Sequence, residues 1–248
     1  MAQLIKLYHY PSRYENDIYQ YASRFIPQKR RRYHEYKQKF GSGKYPESLR
    51  TAFHDDFYKN QLIWATSTPT HRAEPDVKYR RHRWLSFFLQ ALQDTVFILC
   101  EPIFDSKLSG RTVDFLFMTP QSIWCVNILE GEAGSVFQGL GGGKWREVRS
   151  RSVDYLSDPL PPLERIVALV GDILRERQIN MEIKGCLLVP ESFTEYIAPT
   201  QKVTVCDRSS WRTWMNDTFD HHANLKYIQL RAAEALLDHC QTVGSERY

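Results

Sequence analysis

The sequence predicts an α/β fold, a mixed sheet with flanking helices, preceded by a helical N-terminal region. Three observations predict it. Apolar residues recur at helical spacing up to about residue 60. From about residue 77 the pattern becomes a helix, a group of short β-forming runs, a second helix and two more strands. The composition, 42% hydrophobic and 25% charged over 248 residues, is that of a globular protein large enough for a substantial core.

Ser12-Arg-Tyr-Glu15 is a capping-box pattern, and Tyr14, Ile18, Tyr21 and Phe25 follow on one helical face, so a helix is expected over 13–26 with Pro27 stopping it. Tyr33, Tyr36 and Phe40 form a stripe among cations, a short basic helix ending at Gly41-Ser42-Gly43. Leu49, Ala52, Phe53 and Phe57 predict a helix over 47–60. The polar stretch from Ala65 to Pro75 reads as a loop and a boundary. Trp84, Phe87, Phe88 and Ala91 make an apolar face on a helix over 77–92. Strands are expected at Val96–Cys100, Val113–Met118 and Ile123–Leu129, then at Val136-Phe137 and Lys144–Val148, with Thr119-Pro120-Gln121-Ser122 as a turn. A helix from Leu163 to Arg177, strands at Ile183–Val189 and Val203–Cys206, a short helix at Trp211–Trp214 and a helix at Leu225–Cys240 complete the order. The expected division is a basic, tyrosine-rich helical region over 1–76 and an α/β domain over 77–248.

The formal charge of +4 is unevenly spread: residues 1–83 carry +9 and the remainder −5. The same segment holds 10 of the 14 tyrosines. Cations interleaved with rings suit a nucleic-acid backbone with unpaired bases, since phosphates attract the cations and rings stack on bases. Lys29, Arg30, Arg31, Arg32, Lys37, Lys39, Arg80, Arg81 and Arg83 are the candidate contacts. A core role for the tyrosines and a solvated face for the charges is the competing reading.

No run approaches the roughly 20 apolar residues a bilayer needs. The opening, Met1 to Asp17, reaches Pro11 and charged residues too early for a secretory segment, so the expected location is the cytoplasm, without a membrane partner. The five cysteines are widely separated, lack CxxC spacing and mostly sit in apolar runs, which predicts reduced, buried thiols. Leu140-Gly-Gly-Gly-Lys144 lacks the spacing of a phosphate loop and reads as a hairpin turn. His221-His222 has no ligand at metal spacing, and no serine stands in a nucleophile motif.

One constellation carries chemistry. Asp114 on one strand faces, across a tight turn, the strand Ile123 to Leu129, then Glu130 and Gly131. The segment from Arg111 to Gly131, with the helix before it and Trp145 after it, resembles the nuclease-related domain (NERD) family. The resemblance covers about residues 77–175. It implies the restriction-endonuclease-like fold of the PD-(D/E)XK nucleases, in which two acids hold a divalent cation and a lysine orients the attacking water. Asp114 then matches the metal-binding aspartate, while Asn127 and Leu129 occupy the positions of the family's Glu and Lys. The acid expected in the preceding helix meets Tyr79 to Arg83 instead.

A live enzyme would need Glu130 or Glu132 as the second acid, Lys144 as the lysine, and Mg2+ or Mn2+. Glu130 follows Asn127 by three residues and falls on the opposite face of a regular strand, so a bulge near Gly131 is required. The expected function is therefore nucleic-acid association, with DNA before RNA, on a degenerate nuclease scaffold without a cofactor. The alternatives are a metal-dependent nuclease with a rearranged site and a protein-interaction scaffold or regulatory subunit.

Overall fold

The computed structural model describes residues 1–40, 46–105, 113–197, 200–220 and 223–246. Gly41-Ser42-Gly43, Arg111 and the His221-His222 pair lie outside the described residues.

The chain opens with a strand, β1 (Gln3–Leu7), all of it buried. Lys6 in its middle is fully buried, and its ammonium donates to the Tyr10 carbonyl at 2.9 Å and Thr242 Oγ1 at 2.7 Å, and pairs with Glu15. The expected capping box is present: Ser12 caps α1 (Arg13–Asn16), and Ser12 N–H donates to Glu15 Oε2 at 2.8 Å.

α2 (Ile18–Phe40) runs through Pro27 instead of stopping there. Proline costs the helix one hydrogen bond and a steric clash, about 3 kcal/mol. Packing on both sides of it outweighs that cost, because Phe25 meets Phe57 and Tyr33 meets Phe53 of α3 (Pro46–Trp64) at 5.4 and 5.1 Å between ring centres. The segment expected as a helical region thus begins with a sheet strand, and the expected basic helix continues the one expected to stop at Pro27.

After β2 (His71–Arg72) the single helix expected over 77–92 is two, α4 (Val77–Arg80) and α5 (Arg83–Ala91). The break falls where His82 caps α5, its Nδ1 accepting the Leu85 N–H at 3.1 Å. The meander follows as expected: β3 (Phe97–Cys100), β4 (Phe115–Met118) and β5 (Ser122–Ile128). Thr119 Oγ1 accepts the Ser122 N–H at 2.9 Å and closes the β4–β5 turn.

β6 (Val136–Gly141), β7 (Lys144–Val148) and β8 (Val153–Ser157) lie in a second sheet. Gly142 and Gly143, at φ 58° and 74°, form the β6–β7 turn, so the glycine run is the expected hairpin. Then come α6 (Leu160–Glu176), β9 (Glu182–Val189), β10 (Phe193–Glu195), β11 (Val203–Asp207), α7 (Trp211–Phe219), α8 (Tyr227–Asp238) and β12 (Ser245–Glu246).

The large sheet has six strands in the order β1-β3-β4-β5-β9-β11. β3, β4 and β5 are antiparallel; β1 runs parallel to β3, β9 to β5 and β11 to β9. The sheet is covered on both faces, which is why its central strands read as continuous apolar runs. Leu99, Leu116, Ile123 and Cys125 pack with Ile166, Val170 and Ala232 of α6 and α8. Ile98, Phe115, Phe117 and Val126 pack with Leu62, Phe88 and Met215 of α3, α5 and α7. The smaller sheet, ordered β10-β6-β7-β8, sends Phe137 and Trp145 into the first of these cores.

The C-terminal segment returns to the start of the chain. Gln241 N–H donates to the Ile103 carbonyl, Val243 N–H to that of His9, and Thr242 Oγ1 to Glu15, while β12 pairs with β2. Replacing Glu15 by alanine leaves the Lys6 ammonium buried without its counter-charge, and urea denaturation is expected to show a loss of about 3 kcal/mol. Adding Lys6→Met should restore part of that loss. A double variant no more stable than Glu15→Ala alone would show that the ion pair is not the source.

Candidate functional site

The site lies where β4 and β5 part. Their ladder ends at the pair Phe115 and Val126. β5 continues along β9, with Asn127 opposite Leu187 and Ile128 opposite Leu188, and Leu129 N–H still donates to the Leu188 carbonyl at 2.8 Å. At the parting, side chains replace the ladder in both directions. Asp114 N–H donates to Asn127 Oδ1 at 3.0 Å, and Ile128 N–H donates to Asp114 Oδ2 at 2.7 Å. The Asp114 carbonyl accepts the Glu101 N–H at 2.8 Å, which ties the end of β3 to the same point.

Asp114 and Asn127 are thus neighbours, but each side-chain oxygen is spent on the opposite strand's backbone, Asn127 on the Asp114 N–H and Asp114 on the Ile128 N–H. Burial pushes the Asp114 carboxyl above its usual range; the Ile128 N–H opposes this, and the charges of Glu101 and Glu130 add to it. Leu129, where the resemblance would put a lysine, is half-buried and packs against the core.

Glu130 lies past the end of β5, and its Oε1 accepts the Trp84 indole N–H at 2.7 Å. A regular strand would have carried it away from Asp114. Leaving the strand lets its charge act on that carboxyl. Gly131 is required at this point, because a Cβ there would lie 2.6 Å from Glu147 Oε1 and 2.7 Å from the Phe137 ring. Glu132 turns to the second sheet, where its carboxylate accepts from Ser150 Oγ at 3.2 Å. Lys144 does not join the site. It is exposed at the tip of the β6–β7 hairpin, with the hairpin's full length between it and Gly131.

Residues that spacing did not reveal complete the cluster. Glu101 follows β3 in a left-handed backbone conformation, φ 49°, which breaks the strand's alternation. Its Oε2 accepts from Lys78 Nζ and from the Tyr79 hydroxyl, both at 2.7 Å, and its Oε1 lies 3.6 Å from His82 Nε2. Burial disfavours the Glu101 carboxylate, but these donors and the Lys78 charge outweigh it and hold the carboxyl at about 2. The segment where an acid was expected therefore contributes donors to an acid on the neighbouring strand.

His82, Cys100 and Glu101 place ligand-type atoms within 4.8 Å of one another, the one such grouping among the described residues. The donor set does not fit a divalent cation. Lys78 already supplies the positive charge to Glu101, Glu130 is held by Trp84, one Asp114 oxygen is held by Ile128, and burial keeps the Cys100 thiol far above its usual pKa.

The basic candidates divide. Lys29 pairs with Asp94 at 2.7 Å, Arg32 with Asp56 at 3.4 Å and Arg83 with Glu191 at 2.7 Å, so these are structural ions. Arg31 is paired only loosely with Glu35, at 3.6 Å, and Lys37 lies over the Tyr33 ring at 4.8 Å. Lys39 is exposed and has contacts of its own, and Arg30, Arg80 and Arg81 are exposed. Most N-terminal tyrosines serve the core: Tyr14, Tyr58 and Tyr79 are buried, and Tyr33 and Tyr36 pack on Phe53. All five cysteines are buried and unpaired, as expected.

No protein-family model matches the sequence, and neither a curated protein nor a solved structure matches the chain.

Glu101 has a depressed pKa in the folded chain, so its stabilising contribution is complete above the ordinary carboxyl value near 4.3 and is lost as the pH falls towards 2. Glu101→Gln is expected to lower stability at pH 7 by on the order of 2 kcal/mol, with the gap from wild type closing between about pH 4.5 and pH 2. Urea midpoints measured against pH check this. A gap that stays constant with pH would contradict it.

Proposed function

We propose that the chain is a nucleic-acid-associated protein without nuclease activity, built on a restriction-endonuclease-like core of the kind the NERD resemblance implies. The order of elements supports the fold: α5, the antiparallel β3, β4 and β5, then α6 and β9 parallel to β5. That is a helix, a three-stranded meander, a crossover helix and a parallel fourth strand, with Asp114 and Asn127 at the parting of the second and third meander strands.

One observation carries the loss of catalysis. Asn127 directs its amide oxygen to the Asp114 backbone, so the position that would bring a second charge completes the sheet's hydrogen bonding instead. A nuclease with a rearranged site would require Lys78 to release Glu101 and Trp84 to release Glu130.

Nucleic-acid association rests on the +9 charge of residues 1–83 and on the exposed Arg30, Arg31, Lys37, Arg80 and Arg81. DNA is the preferred partner, and cations are needed from the protein only. Replacement of the nucleic acid by one stoichiometric protein in material purified from the native source would favour a scaffold role.

Fluorescence anisotropy of labelled single- and double-stranded DNA, titrated between roughly 50 and 200 mM salt, is expected to give an affinity that falls as salt rises, with a negative log–log slope. Absence of binding to DNA or RNA at low salt would sink the reading. Incubation with Mn2+ is expected to leave DNA intact, and cleavage that disappears in Asp114→Ala would establish the nuclease instead.

A further inference from the structure

We propose that the cleft between α1, α2 and the end of α3 is a nucleotide-binding site, taking a phosphate on Arg24 and Arg31 and an unpaired base beside Trp64. The cleft measures about 530 Å3, within the range of pockets that hold small ligands. Its α2 wall is one stripe: Tyr21, Arg24, Gln28 and Arg31 follow at i, i+3, i+7 and i+10. Arg13 and Trp64 form the other walls, with the Arg13 guanidinium 5.6 Å from the Trp64 ring centre and Tyr21 set edge-on to that ring at 5.7 Å.

The charge of the cleft is unbalanced. Arg13 and Arg24 form no ion pair among the described residues, and Arg31 has only the loose contact with Glu35, both side chains being mostly exposed. The cations on the neighbouring faces of α2 are treated differently, since Lys29 and Arg32 are each paired with an aspartate. Three guanidinium groups around one opening repel one another, and a phosphate, two of whose oxygens can accept from one guanidinium fork, relieves that repulsion.

Inorganic phosphate alone would leave the aromatic side of the cleft unused. A base stacks on rings and on guanidinium planes alike. Pro27 also lines the cleft, and because it has no N–H the Ser23 carbonyl beside it lacks its helical donor. That carbonyl is an acceptor for the amino edge of a base.

The same chemistry serves a free nucleotide or one nucleotide of a single strand. In the second form the inference rests on the nucleic-acid reading above, and the experiment separates the two. Calorimetric titration of the full chain with ATP, with a twelve-residue oligothymidylate and with inorganic phosphate would be run on wild type, Arg24→Glu/Arg31→Glu, Arg80→Glu/Arg81→Glu and Trp64→Leu. Arg24 and Arg31 are exposed, and a urea midpoint confirms that their variant is folded.

Binding of either nucleotide probe that drops by about tenfold or more in Arg24→Glu/Arg31→Glu supports the site. Weakening of ATP, but not of phosphate, in Trp64→Leu supports the placement of the base. If ATP binds in the cleft and the oligonucleotide binds nowhere, the cleft stands and the nucleic-acid reading fails. If the oligonucleotide binds Arg24→Glu/Arg31→Glu as it binds wild type and is lost in Arg80→Glu/Arg81→Glu, the cleft is overturned and nucleic-acid association survives. Wild type that binds neither nucleotide probe overturns the cleft outright.

Discussion

A sheet buried on both faces must satisfy every backbone N–H without water, and the hardest place to do so is where two strands separate. Here β5 leaves β4 to follow β9, and the Asp114 and Ile128 N–H groups lose their ladder. Asn127 and Asp114 take them with side-chain oxygens, each serving the other's strand. The exchange is neutral on one side and anionic on the other. An acid at 127 would set two carboxylates face to face and make the parting depend on a cation. With an amide there, the fold closes on its own groups.

The surrounding charges obey the same logic. Glu101 sits at the end of β3 with its backbone turned left-handed, so its carboxylate meets Lys78, Tyr79 and His82. Glu130 meets the Trp84 indole. Each acid near the parting thus has a donor from α4, α5 or the main chain, and the helices are held to the sheet by polar contacts at one end and by the Phe88, Phe115 and Phe117 rings in the interior.

Strands β3, β4, β5 and the end of β9 were legible because they are buried on both faces and carry apolar residues at nearly every position, and β11 because valines alternate at its start. β1 was not, because a lysine interrupts it; the partners that make Lys6 tolerable in a strand come from residues 10, 15 and 242. β8 was missed because it is largely exposed, and β10 because it has only three residues. The stop expected at Pro27 follows a local rule that the Phe25–Phe57 and Tyr33–Phe53 contacts override. At the site, a strand facing Asp114 across a turn could be read from the spacing, but the exchange of hydrogen bonds between Asp114, Asn127 and Ile128 could not. Glu101 could not, since nothing in a sequence announces a left-handed glutamate. The exposed cations of α2 were legible as charges, but which of them are neutralised depends on Asp56 and Asp94, set by tertiary packing.

The contact between Lys6 and Thr242 joins residues 236 apart. Strand β1 forms the edge of the large sheet, and the hydroxyl that helps to solvate its buried ammonium comes from the segment after α8. A cation buried in an edge strand fixes its register, since a slip by one residue would carry the ammonium away from Glu15, the Tyr10 carbonyl and Thr242 together. The same strand is hard to add to a foreign sheet, where those partners are missing.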